Sequence, residues 1–453
     1  MPDWKAGLLF ILALALSTFV LIDLHAIGNL SKFKNMRLSR LLPCNCSTSS
    51  ASPCPTLPFL TVRPSFPKTI VTRIDTTRIP HQDLYNFVMI QGIGSRKGDK
   101  QGISLIAAYE FPEQITVTIT SRGKYSDVIY CRYFDREKRE LGLPFRTHVF
   151  PEFAAYCLRR EGAAFMSLSD TARGDYSYPV PIVDRTNDEL KHFFSVCVAP
   201  IYGKEPKWLL LAEFIEHYKL QGATHFYVYI KYIDEYSRIF LDDYIRTGDV
   251  EVVVLHDRFQ REDDEWQVVE LQECLTRAKG HSQWVAFVDL DERLTPTQYS
   301  GTLLDYLRSI SDSSIGGIQF RQRWILKNES MPAKYLNRNQ IATWMPTARY
   351  HNTSHVGPSG HTAKCIVDPE KVLIMNVHYV DQFTDAYRLH EVDPEEGVVR
   401  HYRDVHLGEW GRIWLKEVEE MGNFSHTNYP EKWMDRLRKN VENRVHYVYG
   451  GHH

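Results

Sequence analysis

Residues 284–292 combine a strand pattern with a group of carboxylates. Five apolar residues, typical of a buried strand in a parallel sheet, end directly before Asp289, and Asp291 and Glu292 follow. In open α/β sheets, side chains at the carboxyl end of a strand project into the crevice that binds ligands. Two carboxylates there can bind Mg²⁺ or Mn²⁺ and leave positions open for the phosphate oxygens of a nucleotide diphosphate. We therefore predict a metal and nucleotide site at Asp289 and Asp291, with a solvated acidic turn as the alternative.

Two histidines are candidates for a further metal ligand. A neutral imidazole suits a site that two carboxylates begin. His378 and His401 each lie at or near the end of an apolar stretch. We predict that one of them joins the two aspartates, and a structural role in the interior is the alternative for each.

Alternating strand and helix patterns surround these candidates from residue 191 onward. Extended apolar segments alternate with amphipathic ones, which is typical of a parallel sheet with crossover helices. Strands are predicted at 192–200, 224–230, 250–255, 284–288 and 316–324, and helices at 207–221, 266–278 and 430–449. We predict an α/β domain with a doubly wound sheet at 191–425 and a C-terminal helix at 426–453.

A β-rich lobe is predicted at 81–190, ahead of the α/β domain. Segments 104–109, 115–120 and 127–134 show the alternation of strands and are joined by glycine and charged turns. Cys131 and Cys157 form a plausible disulfide that spacing alone does not prove. In the α/β domain, an oxidised pair of Cys274 and Cys365 could hold the site together. Five cysteines lie in the lobe and the domain, so one of them must be free or pair with a cysteine closer to the amino terminus.

The amino-terminal residues have the pattern of a membrane-targeting segment. Residues 6–22 are uncharged and rich in Leu, a length at the lower limit for a spanning helix and above that of a usual signal-peptide core. We predict a cytoplasmic tail at 1–5, a transmembrane signal-anchor at 6–27 and a Pro/Ser/Thr-rich stem at 28–80. Cleavage of the segment is the alternative. The stem cysteines Cys44, Cys46 and Cys54 could pair locally or link two chains into a homodimer.

Two observations disagree about the side of the membrane on which the body lies. Four basic residues at 32–40 follow the apolar segment and favour a cytoplasmic body. The lumen is favoured by all eight cysteines, which lie beyond the segment, and by glycosylation sequons at Asn45, Asn328, Asn352 and Asn423. We place the body in the secretory lumen.

Composition narrows the class of protein. The 43% hydrophobic and 24% charged residues are those of a globular protein. The formal net charge of -2 excludes a general nucleic-acid binder, because phosphate backbones require a clear excess of Lys and Arg.

Several motifs, in order along the chain, resemble glycosyltransferase family 92. They are Phe-Ser-Val-Cys-Val-Ala-Pro-Ile-Tyr at 194–202, the segments 211–218 and 222–229, the acidic strand at 284–292, Lys-Cys-Ile-Val at 364–367 with Pro369, and Arg-His-Tyr-Arg at 400–403. The resemblance runs from about residue 130 to 414. It leaves the membrane segment, the stem and the final helix outside.

The resemblance implies a type II Golgi enzyme with a GT-A (Rossmann-like) fold. Such an enzyme moves galactose from UDP-galactose to a glycan with inversion, and binds Mn²⁺ at the Asp-x-Asp of Asp289 and Asp291. The acceptor is an N-glycan, with core fucose one candidate, and stays open. The family pattern around His401 makes it the first choice for the histidine of the metal site, and His378 the second.

Two further roles follow from the same comparison. Pro200 and Tyr202 come after the first strand of the α/β series, where GT-A enzymes receive the nucleotide, so a uracil or ribose contact is expected there, with a simple turn as the alternative. An inverting transfer needs a carboxylate that takes the acceptor proton. The candidates are Glu329, Asp381 and Asp385, although Glu329 lies inside the Asn328 sequon, where a glycan would crowd a cleft.

Two other functions fit the same residues. A luminal metal-dependent phosphohydrolase could use the acidic cluster to bind phosphate and activate water, and would release phosphate from a simple ester. A transferase needs both a UDP-sugar and an acceptor. A glycan-binding protein without catalysis is the third reading, and the presence of both Asp289 and Asp291 argues against it.

Overall fold

The computed structural model describes residues 78–96, 98–187, 189–405, 415–416, 418–420 and 422–450. The predicted tail, the membrane segment, nearly all of the stem, the three stem cysteines and the Asn45 sequon therefore lie outside the described residues. Among the residues that are described, no helix has the length and apolar character needed to cross a membrane.

The described elements follow the chain from a mainly β region into an alternating α/β region. The strands of the first region are β1 (Gln101–Glu110), β2 (Ile115–Arg122), β3 (Val128–Phe134), β4 (Phe145–His148), β5 (Ala154–Cys157), β6 (Phe165–Ser169) and β7 (Val180–Asp184). The strands of the second region are β8 (His192–Ile201), β9 (His225–Ile230), β10 (Val250–Val254), β11 (Ser282–Val288), β12 (Glu292–Pro296), β13 (Ile315–Phe320), β14 (Gln322–Lys327), β15 (Asn352–Thr353), β16 (Lys364–Val367), β17 (Val372–Met375), β18 (Val380–Phe383), β19 (Arg388–Glu391), β20 (Gly397–Asp404) and β21 (Ser425–His426). The helices are α1 (Gln82–Ile90), α2 (Trp208–Leu220), α3 (Glu235–Arg246), α4 (Asp263–Ala278), α5 (Leu303–Ser309), α6 (Arg338–Trp344), α7 (Pro346–Arg349) and α8 (Glu431–Tyr449).

A seven-stranded sheet forms the centre of the second region, in the order β10-β9-β8-β11-β16-β13-β19. Its first four strands run parallel, which confirms the predicted α/β class. β16 runs antiparallel to both of its neighbours, so the sheet is mixed. The predicted strand at 316–324 is wrong in its extent. The chain divides at Arg321 into β13, in this sheet, and β14, in a separate three-stranded sheet ordered β12-β20-β14.

Alternation along the parallel strands builds two hydrophobic layers. On β11, Ala286 and Val288 pack in one core together with α2 and α8, whereas Val285 and Phe287 pack in the other core with α4. All four side chains are buried. Because both faces of this strand are covered, its sequence is continuously apolar until Asp289. Burial of each large side chain stabilises the fold by roughly 1.5–3 kcal/mol.

The β-rich region forms a second seven-stranded sheet, ordered β4-β3-β6-β7-β1-β2-β5. A disulfide joins Cys131 of β3 to Cys157 of β5, as the sequence suggested. Polar contacts connect this sheet to the α/β region. The Tyr109 hydroxyl donates a hydrogen bond to Glu273 Oε1 at 2.7 Å, and the Ser104 hydroxyl donates one to Asp257 Oδ1 at 2.7 Å. The β-rich sheet is therefore fastened to α4 and to the loop before it.

A buried histidine makes the stability of the fold depend on pH. His217 of α2 is fully buried. Its Nε2 donates to the Leu294 carbonyl at 2.9 Å, and its Nδ1 lies 2.9 Å from the Tyr429 hydroxyl, which donates to it. Burial, helped by the charge of Arg293, lowers the pKa of His217 to about 3. The unfolded chain, with a histidine pKa near ~6.5, therefore binds the proton first as the pH falls.

We expect His217→Gln to flatten the acid side of the stability profile. Glutamine can donate to Leu294 and accept from Tyr429 without a charge to bury. As the pH falls from about 6 to 4, the free energy of unfolding should decrease less steeply in the variant than in wild type. The two slopes should differ by about 1.4 kcal/mol per pH unit. Urea unfolding of both proteins across this range measures the slopes. His256→Gln, at an exposed position, is the control, and equal slopes for wild type and His217→Gln would contradict the assignment.

Candidate active site

A cleft of about 550 Å³ opens at the carboxyl ends of β8 and β11. Its walls include six of the residues predicted from the sequence: Pro200, Tyr202, Asp289, Asp291, His378 and His401. The loop after β11 supplies the two aspartates, and the three-stranded sheet supplies His401 on β20. The fold thus brings together residues that lie far apart in the sequence.

Asp291 and His401 face each other across the loop after β11. Asp291 Oδ2 lies 3.4 Å from His401 Nε2 and 3.8 Å from Arg403 Nη1. The Tyr402 amide donates a hydrogen bond to the Asp291 carbonyl at 2.8 Å, which fixes the loop against β20. Burial opposes ionisation of Asp291, but His401, Arg403 and Lys327 outweigh it and hold the pKa of this carboxyl well below its usual range. Asp291 is therefore a carboxylate at any physiological pH.

The His401 ring is held on three sides. It stacks on Trp324, with ring centroids 4.5 Å apart. Its Nδ1 contacts the side-chain amide of Gln322 and lies 3.4 Å from Glu292 Oε1. Its Nε2 is buried, faces Asp291 Oδ2, and has no hydrogen-bond partner among the residues that the structure describes. A carboxylate behind one ring nitrogen is the usual way in which a metal-binding histidine is oriented.

Asp289 belongs to a second group of charges on the other side of the loop. Lys364 Nζ, on β16, lies 3.1 Å from Asp289 Oδ2 and 3.3 Å from Glu292 Oε2. Gln267 Nε2 donates to Asp289 Oδ1 at 3.4 Å. Burial acts to lower the pKa of Lys364, but the two carboxylates outweigh it and raise that pKa above its usual value. Lys364 is thus a permanent positive charge beneath the cleft.

Glu292 is the carboxylate beneath the aspartate pair, and its side chain is 1% exposed. Its Oε2 accepts a hydrogen bond from the Asp289 amide at 2.9 Å. Burial and the neighbouring Asp289 raise the pKa of Glu292 to about 7, against the opposing charge of Lys364. Glu292 therefore supports the loop and His401 from inside the protein and is closed to a substrate.

His378 lines the cleft near the Lys364 group. The His378 Nδ1 donates to the Ala363 carbonyl at 3.1 Å. The backbone carbonyl of His378 accepts a hydrogen bond from Gln319 Nε2 at 2.8 Å. Burial, together with the charge of Lys364, lowers the pKa of His378 to about 4. The ring is therefore neutral at pH 7 and can offer Nε2 as a ligand.

The donor atoms of the cleft fit a divalent cation. Two carboxylates and a buried imidazole nitrogen that faces one of them suit Mn²⁺ or Mg²⁺. Among the described residues, two other groups bring three ligand atoms within 4.8 Å, and Asp289, Asp291 and His401 are not one of them. The Asp289 carboxylate is turned toward Lys364 instead. It has to rotate away from Lys364 to share an ion with Asp291 and His401.

Residues at the end of β8 form the wall of the cleft beside the aspartate loop. The Tyr202 hydroxyl donates to the Asp263 carbonyl, the first residue of α4, at 2.6 Å, and burial raises the pKa of Tyr202. Pro200 precedes it on the same wall. This wall offers an aromatic ring close to the aspartate loop, in agreement with the expected position of a nucleoside contact.

The three carboxylates predicted as candidates for the base, Glu329, Asp381 and Asp385, do not line this cleft. Glu329 is bound by Arg349, whose Nε donates at 2.6 Å. Asp381 accepts a hydrogen bond from Asn376 Nδ2 at 3.1 Å, and burial raises its pKa. The cleft contains Asp404 instead, together with Lys327, its partner in the pairing of β14 and β20. Asp404 and Lys327 were missed because β14 and β20 pair in a separate sheet, and hydrophobic periodicity does not show which strands pair.

The predicted Cys274–Cys365 pair is wrong. Cys274 of α4 forms a disulfide with Cys197 of β8, and Cys365 is a buried thiol. α4 packs across β8, which places Cys274 against that strand. Cys365 Sγ instead lies 3.6 Å from the His378 carbonyl. Because Cys274 is oxidised in this disulfide, it cannot act as a metal-binding thiolate.

Comparison with known proteins gives the family. The family model for glycosyltransferase family 92 matches residues 192–437, from β8 into α8 and so further toward the carboxyl end than the sequence motifs suggested. A curated relative, the beta-1,4-galactosyltransferase galt-1 of Caenorhabditis elegans, is 27% identical over 238 residues, 48% of this chain and 50% of that protein. The chain thus matches about half the length of this relative.

Solved structures that are similar to parts of this chain include a synthase and a mannosyltransferase. A glucosyl-3-phosphoglycerate synthase from Mycobacterium tuberculosis, in complex with Mg²⁺ and UDP, is 12% identical with a TM-score of 0.24, covering 57% of this chain and 80% of that one. The mannosyltransferase PcManGT from Pyrobaculum calidifontis, in complex with GDP-Man and Mn²⁺, is 11% identical with a TM-score of 0.29, covering 58% and 75%. The family model covers more than half of the chain, and the chain therefore belongs to glycosyltransferase family 92.

Proposed function

We propose that this protein transfers galactose from UDP-galactose to a glycan acceptor, with inversion, using Mn²⁺ bound at Asp289, Asp291 and His401. The observation that carries the proposal is the cleft that joins these residues to Pro200 and Tyr202 in a chain of family 92. The name of the curated relative, a beta-1,4-galactosyltransferase, supports galactose as the sugar. The acceptor is proposed as an N-glycan, with core fucose one candidate.

The residues of the cleft have separate tasks in this reaction. A bound Mn²⁺ would neutralise the negative charge that grows on the departing UDP. Asp289, Asp291 and His401 would hold it. Lys327 adds buried positive charge on the cleft wall, and Lys364 adds a second buried charge beneath Asp289. Tyr202 and Pro200 would position the nucleoside.

The proton of the acceptor hydroxyl needs a carboxylate on the cleft wall. Glu292 is enclosed, Asp289 and Asp291 are assigned to the ion, and Glu205 lies beside Tyr202 on the wall assigned to the nucleoside. We propose Asp404 as the base, in preference to Glu329 and Asp381, because geometry takes precedence over a suitable pKa for this role.

Exchanging each histidine for alanine should distinguish the metal ligand. His401→Ala is expected to raise the Mn²⁺ concentration for half-maximal activity by about 100-fold, and His378→Ala by about 10-fold or less. The reason is that His401 Nε2 faces Asp291, whereas His378 is held near Lys364. Mn²⁺-dependent UDP binding by calorimetry gives the same ranking without turnover. A larger shift for His378→Ala would exchange the two roles.

Donor and acceptor can be identified together. The full-length chain is incubated with a panel of UDP-sugars and a mixed pool of N-glycans, and mass increments are recorded. The proposal expects a hexose added only with UDP-galactose, Mn²⁺ and acceptor. Phosphate release from a simple ester without acceptor would favour the phosphohydrolase, and Mn²⁺-independent glycan binding without transfer would favour a lectin.

We also propose that the protein lies in the Golgi membrane, with a type II anchor at 6–27 and the body in the lumen. Cysteines of the stem would link two chains into a homodimer. Three described sequon asparagines, Asn328, Asn352 and Asn423, are exposed, and two disulfides lie in the body. Both features suit the secretory lumen. Protease treatment of intact microsomes should leave the body undigested, and digestion from outside would place it in the cytosol.

A further inference from the structure

Three histidines gather at the amino ends of the parallel strands. His192 begins β8, His225 begins β9, and His281 directly precedes β11. The centroid of the His192 ring lies 4.6 Å from that of His225 and 5.0 Å from that of His281. The centroids of His225 and His281 are 5.4 Å apart. The seven residues of β11 separate this cluster from Asp289 by roughly 20 Å, at ~3.3 Å per residue. The cluster is therefore distinct from the active-site cleft.

Two of the rings have one nitrogen already fixed. His192 Nδ1 lies 2.9 Å from the Thr224 hydroxyl, and His281 Nδ1 lies 2.6 Å from the Tyr227 hydroxyl. If each Nδ1 carries the proton and donates it to that oxygen, the lone pair of each Nε2 can bind a ligand. Histidines that bind metals are oriented in this way by an oxygen acceptor behind the ring.

His225 is the residue whose bonding is incomplete. It is 7% exposed, and within the described part of the chain neither of its ring nitrogens has a hydrogen-bond partner. A buried polar group without a partner costs free energy, on the order of 1–3 kcal/mol. Its Nε2 lies 3.6 Å from Glu251 Oε2, while Arg277 holds the other oxygen of Glu251. Glu251 thus faces the Nε2 side of the His225 ring, and the Nδ1 of His225 is left to bind a metal ion.

We propose that His192, His225 and His281 bind one divalent transition-metal ion, with Zn²⁺ the best fit, and that this ion fastens the amino ends of three adjacent strands. One nitrogen from each ring lies within 4.8 Å of the others. Ligands of a tetrahedral ion with bonds of ~2.1 Å lie roughly 3.4 Å apart, so the rings have to draw together. A water molecule would complete the four ligands.

The surroundings select the kind of metal. Arg185 and Lys191 act electrostatically on His281 and disfavour any cation. The affinity must therefore come from imidazole bonds, which favour Zn²⁺, Cu²⁺, Ni²⁺ and Co²⁺ over Mn²⁺ and Mg²⁺. The cluster and the carboxylate cleft should thus take different ions. This inference does not depend on the proposed sugar transfer.

The test measures zinc directly on the full-length chain. Wild type, His225→Gln and His281→Gln are stripped with chelator, given limiting Zn²⁺ in the presence of excess Mn²⁺, desalted and analysed for metal. His256→Gln, at an exposed position outside the cluster, is the matched control. We expect wild type and His256→Gln each to retain one equivalent of Zn²⁺ more than the two cluster variants. The melting temperature should rise with Zn²⁺ for wild type and His256→Gln and not for the cluster variants. UDP binding should be the same in all four proteins.

Cobalt substitution distinguishes this site from cysteine. Co²⁺ bound by imidazoles gives the visible bands of a tetrahedral ion without thiolate charge-transfer bands, and His225→Gln should abolish them. If a cluster variant does not fold, His192→Gln, at the more exposed ring, replaces it. Equal zinc content in wild type and the cluster variants, or thiolate bands in the cobalt spectrum that persist in them, would overturn the proposal.

Discussion

Asp291→Asn is expected to lower kcat/KM for sugar transfer by about 10³-fold and to leave the protein folded. His401, Arg403 and Lys327 favour the ionised form of Asp291 and hold its pKa below the usual range. An amide has nearly the same shape, so the loop and its hydrogen bond from the Tyr402 amide are retained. What is lost is the negative charge that the proposed ion needs.

The measurement combines activity with metal-dependent binding. Calorimetry of UDP with and without Mn²⁺ should show that Mn²⁺ enhances binding to wild type and not to Asp291→Asn. Asp368→Asn serves as the control, because Asp368 is also a buried aspartate near a lysine, Lys371 at 3.4 Å, but does not line the cleft. Full activity of Asp291→Asn, or an equal loss in Asp368→Asn, would refute the role of this carboxylate.

The sequence predicted the parts of the site that local patterns encode. Asp289 and Asp291 follow a continuously apolar strand, and the parallel sheet places the end of that strand beside Tyr202 at the end of β8. His401 and His378 were identified from apolar context and from family motifs, and both line the cleft. These inferences used neighbours in sequence, the family motifs and the rule that strand ends carry ligands.

Features that depend on pairing across the sheet could not be predicted in this way. Lys364 reaches Asp289 because β16 enters the sheet antiparallel beside β11, and no local pattern reports that direction. Glu292 was taken as one more acid of the turn, whereas burial makes it a support for His401. The pairing of Cys274 with Cys197 likewise follows from the packing of α4 on β8.

The division of the predicted strand at Arg321 has the largest functional consequence. β13 stays in the central sheet, and β14 leaves it to pair in parallel with β20. This pairing places Trp324 beneath His401 and Lys327 opposite Asp404. The metal side of the cleft is therefore built on one sheet and completed by another. For this reason, a search for the base among residues near the predicted strand found Glu329, which lies two residues beyond the end of β14.

Asp404→Asn is expected to lower kcat by about 10²–10⁴-fold, the usual contribution of a general base. Asp404 ends β20 three residues after His401, lines the cleft and acts electrostatically on the buried Lys327. The variant keeps the size of the side chain but cannot accept the proton of the acceptor hydroxyl. Binding of UDP with Mn²⁺ should be unchanged, which separates loss of the base from loss of the metal site.

Glu329→Gln and Asp381→Asn are the matched comparisons, since both remove a carboxylate that was predicted from the sequence and lies off the cleft. Their kcat values should stay within about 3-fold of wild type, in line with the small effect of changes away from a reacting group. Single-turnover rates with saturating donor and acceptor measure the chemical step itself. A 10²-fold loss in either comparison variant, with Asp404→Asn active, would return the role of base to that residue.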